Sequence, residues 1–292
     1  MSRWHAEGKF RQSENCGAQN GFAELSEAPR FDDWLPRNRL PPTYFPKSTQ
    51  LDWFDMDTFE NFKARSGHPI YGEHDIQYSF NALGYRSPEF EHLADVRVIA
   101  VGCSYVMGVG LPQNALFHYQ FGERLQAHSG RSVVVWNLGS VGASNDYIAR
   151  MLQLAVPVLD PHILLVNFTH ASRREYVSVQ NRLVPYNPGW EPHDLVNRAI
   201  KKQFLGLSSP YDDRVNLFRN YRAIEPLLCN RCWLFSSSDP EALAEIAEHV
   251  DKSRYVGVLG SVDKARDGAH PGPQSHTDLA LLYWNRFLTL NK

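Results

Sequence analysis

The chain has 292 residues, and 43% of them are apolar, which is ordinary for a globular protein and excludes wholesale disorder. The formal net charge of −2 argues against a protein whose main function is to bind nucleic acid or an anionic membrane surface. No apolar run approaches the roughly 20 residues of a transmembrane helix, and the polar sequence after Met1 predicts no signal peptide. We therefore expect a cytoplasmic protein that does not bind membranes; the sequence does not indicate its oligomeric state.

Residues 1–92 differ from the rest of the chain. Prolines are frequent between Pro29 and Pro46, aromatic residues are scattered, and hydrophobic periodicity is weak. This composition predicts a loop-rich segment, with one short helix near Asp57–Ala64, that packs on a body formed by residues 93–292. Its aromatic residues favour a packing surface over the alternative, a sugar-binding cleft; they include Trp4, Trp34, Trp53 and Phe54.

From about residue 95, apolar strands alternate with helices. The predicted strands are β-branched or aromatic runs at Val96–Val101, Ser132–Trp136, Ile163–Val166, Trp233–Phe235 and Tyr255–Val258. Helical spacing covers Gln113–Ala127, Ser144–Leu159, Asp194–Phe204, Asp213–Leu228, Pro240–Val250 and Gln274–Leu290. The alternation predicts an α/β fold with a central parallel sheet covered on both faces. In such sheets, functional residues lie in loops at the carboxyl ends of the strands.

The first predicted strand runs directly into a glycine-rich loop over Gly102–Gly110 that contains Ser104. A serine at this position can project its hydroxyl at the edge of the sheet, beside the backbone N–H groups of a helix start, as a nucleophile requires. The loop fits neither a phosphate loop, because no lysine follows Gly108, nor a dinucleotide fingerprint. The alternative is that Ser104 only caps a helix.

Two further segments match this chemistry. The second strand leads into a loop over Asn137–Asp146, where glycines allow the backbone to approach a ligand and to point N–H groups at an anion. Near the end of the printed sequence, Asp267 stands three residues before His270, so its carboxylate can orient the imidazole towards a serine on another loop. The alternative for this segment is an ordinary polar turn.

The order of these motifs resembles that of the SGNH, or GDSL-like, hydrolase superfamily over about residues 78–290. Gly102-Cys103-Ser104 with Gly108 resembles the first block, GDSxxxG, and Asn137-x-Gly139-x-x-Gly142 resembles the second. Asp267-x-x-His270 resembles the fifth block, and Phe80–Arg86 is similar to an N-x-x-G-[FY]-R segment found ahead of the serine in many bacterial members. The resemblance implies a flavodoxin-like three-layer α/β/α fold, hydrolysis or transfer of acyl esters, and neither a metal nor an organic cofactor.

The resemblance also implies roles for individual residues. Ser104 would be the nucleophile, His270 the base and Asp267 the residue that orients it, while the N–H groups of Ser104 and Gly142 would bind the oxyanion. Two positions depart from the family. Cys103 replaces the aspartate of GDS and is expected to be buried. His170 falls where the third block has its oxyanion asparagine; it can donate one hydrogen bond or be a structural histidine, and the alternative donors are Asn145, Asn167 and Thr169. Asn145 and Thr169 are also candidate substrate-binding residues.

Three other polar features have weaker functional interpretations. Arg173-Arg174-Glu175 follows the third strand at the predicted mouth of the site, where Arg173 could hold a substrate carboxylate or phosphate; a solvated charged turn is the equal alternative. His276 is expected to be structural, because a helix starting near Pro273 would direct it away from Ser104. The lone pair Cys229 and Cys232 is also interpreted as structural, since a zinc site needs further ligands.

The resulting functional prediction is a serine esterase that removes an acyl group, such as O-acetyl, from a carbohydrate or another small ester. The carbohydrate part is an analogy to the family, and no residue establishes it. Two alternatives stay open. One is an O-acyltransferase that acts on a glycan. The other is a non-catalytic module that binds a glycan or a protein, which the departure at His170 permits.

Overall fold

The computed structural model describes residues 39–90, 94–177, 183–189, 201–202, 204, 206 and 208–291. Its strands, in chain order, are β1 (Thr49–Leu51), β2 (Tyr78–Phe80), β3 (Val96–Val101), β4 (Val133–Asn137), β5 (Ile163–Phe168), β6 (Arg174–Val177), β7 (Leu183–Tyr186), β8 (Cys232–Ser237) and β9 (Tyr255–Val258). The α-helices that frame the sheet and the site are α1 (Phe59–Ala64), α2 (Ser104–Met107), α3 (Phe117–Ser129), α4 (Asn145–Leu159), α5 (Pro210–Leu228), α6 (Pro240–Glu245) and α7 (Pro273–Leu290).

The centre of the fold is a parallel sheet with the strand order β4-β3-β5-β8-β9. Numbered along the chain, these strands lie in the order 2-1-3-4-5, which is that of flavodoxin-like folds. Strand β3 pairs with β4 on one side and with β5 on the other, so the chain reverses its direction of winding between β3 and β5. The predicted α/β fold class is therefore confirmed.

Helices cover both faces of this sheet because its strands are apolar on both sides. Along β3, Val98 and Ala100 face the layer that contains α3 and α7, while Ile99 and Val101 face the layer of α4 and α5. Two-sided burial explains why these strands read as continuous apolar runs rather than as alternating ones.

Helix ends follow local capping. Ser144 caps the start of α4, and its hydroxyl accepts a hydrogen bond from the Tyr147 N–H at 3.1 Å, as its type and position predicted. Two predicted helices are shorter than expected, because Gln113–Ala115 and Ala247–His249 form separate 3₁₀ turns. The helix predicted over Asp194–Phe204 lies almost entirely outside the described residues. No helix in the described ranges has the length and apolarity needed to cross a bilayer.

The described part of the N-terminal segment, residues 39–90, packs on the body; we call it the arm. Its two strands, β1 and β2, pair antiparallel, and α1 lies between them in the chain. A buried aromatic cluster joins the arm to the loops that follow β3 and β4, with Phe45, Phe54, Tyr78, Phe80, Met107, Val109 and Val141 among its members. Trp4 and Trp34 lie outside the described residues. The arm therefore contacts the edge of the sheet at which parallel strands place functional residues.

Candidate active site

Ser104 is the first residue of α2 and lies immediately beyond the carboxyl end of β3. This is the point where the winding of the sheet reverses, at which ligands bind in open α/β folds. Gly102 permits the sharp turn between strand and helix, because a Cβ there would lie 2.4 Å from Val106 Cγ2 and 3.0 Å from the Asn167 carbonyl oxygen. Cys103 turns inward and is buried in the core below. The strand and turn together bring the Ser104 hydroxyl to the edge of the sheet.

A continuous chain of side-chain hydrogen bonds runs from Ser104 to the Asp267–His270 turn. His270 Nε2 lies 2.9 Å from Ser104 Oγ, and its Nδ1 is hydrogen-bonded to Asp267 Oδ2. The second carboxylate oxygen, Oδ1, accepts the backbone N–H groups of Ala269 and His270, each at 3.0 Å. The side chains of Ser104, His270 and Asp267 are all almost entirely buried. The geometry is that of a nucleophile, a base and an orienting carboxylate.

The electrostatics keep Asp267 ionised. Burial alone would raise the pKa of this carboxyl, but the hydrogen bond and charge of His270 and the N–H groups of His270 and Ala269 hold it below its ordinary value. A carboxylate in this position fixes the imidazole with its proton on Nδ1, so that Nε2 can accept the Ser104 proton.

Two backbone N–H groups, one at the start of α2 and one in the loop after β4, have no hydrogen-bond partner among the described residues. The N–H groups of Ser104 and Gly142 donate no hydrogen bond to the described residues, and Gly142 has a positive φ of 67°. The loop that carries Gly142 is pressed against α2, because a Cβ on Gly139 would lie only 2.4 Å from the Met107 nitrogen. Asn137 fastens the same loop, accepting from the Gly139 N–H at 2.8 Å and donating to the Val106 carbonyl at 3.0 Å. These unused donors can receive a developing oxyanion.

The residues proposed for the third oxyanion donor lie in different environments. Asn145 is fully buried and makes two hydrogen bonds to the Thr169 backbone, at 2.9 and 3.2 Å, which gives it a structural role. Asn167 is likewise engaged with side chains of β8 and the residue after it, at 2.7 and 3.0 Å. His170 is half-buried, its ring has no hydrogen-bond partner in the described ranges, and burial followed by the charge of Arg173 lowers its pKa. A neutral imidazole is therefore favoured at His170.

Arg173 reaches back to the loop of Gly142. Its Nη1 donates to Thr169 Oγ1 at 3.0 Å and lies 3.5 Å from the carbonyl oxygen of Ala143. Its Nε is buried and has no hydrogen-bond partner among the described residues. This guanidinium therefore keeps an unused Nε donor beside the loop that carries Gly142 and Ala143.

The charged triplet around Arg173 is not a solvated turn. Arg174 and Glu175 begin strand β6, which forms an unpredicted hairpin with β7. Arg174 is paired with Asp212 and Asp213 on α5, and Glu175 is paired with Arg150 on α4 at 2.7 Å. These ion pairs occupy Arg174 and Glu175, so only Arg173 stays available to a substrate.

The other sequence candidates lie in structural positions. His276 is buried on α7, and its Nδ1 accepts the Phe117 N–H at 3.2 Å; burial lowers its pKa to about 3. Cys229 and Cys232 are free thiols. Within the described ranges, no group of three His, Cys, Asp or Glu side chains is arranged to hold a metal ion.

Sequence reasoning missed the contribution of the arm. Arg266, the residue before Asp267, forms a fully buried ion pair with Asp57, with N–O distances of 3.0, 3.1 and 2.8 Å. The Tyr78 hydroxyl donates to Asp57 at 2.6 Å and accepts the N–H of Gly110 at 2.7 Å. The arm thus ties the loop after Ser104 to the segment that carries Asp267. In the sequence, Asp57 is one of several acids among aromatic residues, with Asp55 and Glu60 close by, so no pattern marked it as the buried one.

A second buried arginine, Arg86, belongs to the arm itself and holds the loop that follows Ser104. Arg86, the last residue of the N-x-x-G-[FY]-R segment, donates to the carbonyl oxygens of Gly108 at 2.5 Å and Leu111 at 2.7 Å. Asn81, the first residue of that segment, shapes the preceding turn by accepting the N–H groups of Leu83 and Tyr85, each at 3.0 Å. The segment therefore supports the backbone that follows Ser104.

Comparisons with known proteins identify esterases among similar structures. No protein-family model matches the sequence, and no curated protein matches it. The esterase EstA from Pseudoalteromonas sp. is 11% identical, with 68% of this chain and 100% of that chain covered and a TM-score of 0.43. A family 3 carbohydrate esterase from Clostridium thermocellum is 13% identical, with 67% and 96% covered and a TM-score of 0.41. About a third of the present chain lies outside each of these alignments.

Proposed function

We propose that this chain is a serine hydrolase that cleaves carboxylic esters. The observation that carries the proposal is the unbroken hydrogen-bond chain from Ser104 through His270 to Asp267, with 2.9 Å between Ser104 Oγ and His270 Nε2. A helix-capping serine would not need an imidazole at this distance, and a binding module would have no use for a carboxylate behind that imidazole. The unused N–H groups beside Ser104 support the same chemistry.

The reaction follows from these positions. Ser104 Oγ attacks the ester carbonyl carbon while His270 Nε2 takes the hydroxyl proton, and Asp267 stabilises the imidazolium that forms. The N–H groups of Ser104 and Gly142 bind the oxyanion. His270 then gives its proton to the leaving alcohol, which departs and leaves an acyl-serine. Water, deprotonated by His270, attacks the acyl carbonyl and releases the carboxylic acid and free Ser104.

The third oxyanion donor has two candidates in this proposal. His170 stays the prediction made from the sequence, and Arg173 adds an unused Nε beside the loop of Gly142. One oxyanion donor is worth about 3 kcal/mol of barrier, which corresponds to roughly 100-fold in rate. Comparison of His170→Ala with Arg173→Gln assigns this role, because only the true donor should reduce acylation to that extent.

Intact-mass measurement after exposure to a fluorophosphonate probe tests the proposed function. We expect one adduct per chain in the wild-type protein, none in Ser104→Ala, and much slower labelling in His270→Gln. Ser129→Ala is the matched control, since its serine ends α3 away from the loop of Ser104, and it should label like wild type. Failure of the folded wild-type protein to label would overturn the hydrolase proposal and favour the binding module.

A further inference from the structure

The arm places an acidic residue, Asp55, in a tight turn close to the proposed active site. Phe54 and Asp57 exchange backbone hydrogen bonds of 3.0 and 3.1 Å, which leaves Asp55 and Met56 as the two turn residues. Asp55 has a φ of +57°, in the left-handed region that few residues other than glycine adopt. Backbone conformations of this kind persist where the surroundings hold them, and they concentrate at functional sites.

Both ends of this turn are fixed to the catalytic loops. The Phe54 ring is buried in the cluster that contains Met107, at the end of α2, and Val141, beside Gly142. Asp57 is bonded to Arg266, the residue before Asp267. The two turn residues therefore lie between the oxyanion loop on one side and the Asp267–His270 segment on the other.

The Asp55 carboxylate has acceptor capacity to spare. Its side chain is half-buried, and in the described part of the chain it accepts a hydrogen bond only from the backbone of Met56. Burial raises its pKa, while the Met56 N–H and the nearby charge of His270 act in the opposite direction. Because an ionised carboxylate offers about four acceptor sites, most of its capacity is left for a ligand.

The hydroxyl groups beside Asp55 favour an uncharged, hydroxylated ligand. Tyr44, also on the arm, hydrogen-bonds to the Ser140 side chain, and its hydroxyl lies 3.4 Å from the Val141 carbonyl oxygen. Tyr44 and Asp55 are close enough for their charges to interact. A carboxylate together with neutral hydroxyl groups matches the donors and acceptors of neighbouring alcohol groups on one molecule.

The position of Asp55 also selects the part of the ester that it can contact. In the proposed reaction His270 hands its proton to the leaving alcohol, so the alcohol lies on the His270 side and the carbonyl oxygen on the Gly142 side. Asp55 is anchored through Asp57 to the segment of Asp267 and His270, and the charges that act on its carboxyl are those of the same two residues. We propose that Asp55 binds hydroxyl groups of the leaving alcohol and thereby selects esters of polyhydroxylated alcohols, an inference that rests on the proposed function.

The first test compares esters that share an acyl group. Rates are measured on a mono-O-acetylated methyl glucoside and on ethyl acetate, for the wild-type protein and for Asp55→Asn. A hydrogen bond to a charged group implies that the ratio of kcat/KM between the two esters falls about 10-fold or more in Asp55→Asn, mainly through KM. Glu60→Gln removes an exposed carboxylate from the same arm and should leave the ratio unchanged.

Three kinetic outcomes would overturn the proposal. An equal loss of kcat/KM on both esters would mean that Asp55 acts on His270 rather than on the alcohol. An unchanged ratio would mean that Asp55 does not contact the sugar. Acetylcholine is measured as a third ester. If Asp55→Asn loses more kcat/KM on acetylcholine than on the acetylated glucoside, Asp55 recognises a cation rather than hydroxyl groups.

Binding to an inactive variant separates this proposal from the proposed function. Calorimetry measures the affinity of the acetylated glucoside for Ser104→Ala and for Ser104→Ala with Asp55→Asn. We expect the second substitution to weaken binding about 10-fold. If the wild-type protein hydrolyses neither ester but this difference persists, the hydrolase proposal fails and Asp55 keeps its role as the sugar contact. Equal affinities of the two variants would refute the role of Asp55, whatever the activity.

Discussion

Replacing Asp57 by asparagine should weaken the attachment of the arm to the segment that carries Asp267 and His270. Asp57 and Arg266 are both completely buried, and three N–O contacts of 2.8 to 3.1 Å join them. The substitution keeps the size of the side chain but removes its charge. The guanidinium of Arg266 would then stay in a low-dielectric interior without a carboxylate partner. Backbone carbonyl groups at 2.6 to 3.1 Å and the Trp53 ring, whose centroid lies 3.9 Å away, would still contact it.

The expected magnitude follows from the burial of the pair. Removal of one partner of a buried ion pair costs roughly 3–5 kcal/mol, because it leaves an uncompensated charge. We expect about 3 kcal/mol for Asp57→Asn, at the low end of that range, since the asparagine oxygen can still accept a hydrogen bond from Tyr78. Urea unfolding followed by tryptophan fluorescence measures this loss as a lower midpoint with an unchanged slope.

The same variant should slow the chemistry while the protein is still folded. Because Arg266 precedes Asp267 in the chain, its displacement moves the carboxylate that orients His270, and we expect fluorophosphonate labelling to slow at least 10-fold. Asp52→Asn is the control, since its side chain is exposed and only its backbone oxygen contacts Arg266. A loss of stability below about 1 kcal/mol together with a normal labelling rate would refute this reasoning.

Three further predictions concern stability and catalysis. The pKa of His276 is about 3 in the folded protein and roughly 6.5 in the unfolded chain, so the native state binds fewer protons between these two pH values. The free energy of unfolding should therefore fall as the pH drops from about 6.5 towards 3. In urea unfolding, His276→Gln should reduce the slope of this pH dependence by about 1.4 kcal/mol per pH unit. Gly139→Ala places a Cβ 2.4 Å from the Met107 nitrogen and should cost roughly 1–3 kcal/mol and slow labelling, whereas Gly260→Ala, with open space around it, should do neither. Asp267→Asn should slow labelling by roughly 10⁴-fold with intact folding, because the imidazole loses its orienting charge; a near-normal rate would exclude Asp267 from the mechanism.

The sheet could be predicted because its strands are buried on both faces. The bounds of β3 and β9 match the predicted runs at Val96–Val101 and Tyr255–Val258. The glycine-rich loops after β3 and β4 also pointed to Ser104, since parallel strands place their carboxyl ends at one edge of the sheet. Helix starts were harder to place, because the turn at Gln113–Ala115 carries the same apolar spacing as the helix after it.

The sequence predicted the short helix of the arm, but it could not predict the buried ion pair that ties the arm to the segment of Asp267. Asp57 and Arg266 are 209 residues apart, and charged residues are usually exposed, so neither gave a sign of burial. The β6–β7 hairpin was missed for a similar reason: Arg174 and Glu175 resemble a solvated turn until their partners on α5 and α4 are known. Local pattern therefore predicts the candidate nucleophile, whereas long-range ion pairs decide what surrounds it.

The separation between Ser104 and His270 has a consequence for biosynthesis. These residues are 166 positions apart, so at 5–20 residues per second a ribosome needs roughly 10–30 s after making the serine before it makes the histidine. Asp57 of the arm stays unpaired even longer, since Arg266 is 209 positions further along the chain. Contacts of such range also slow folding after release. Under the proposed function, unfinished chains carry the serine without its base until synthesis has passed His270.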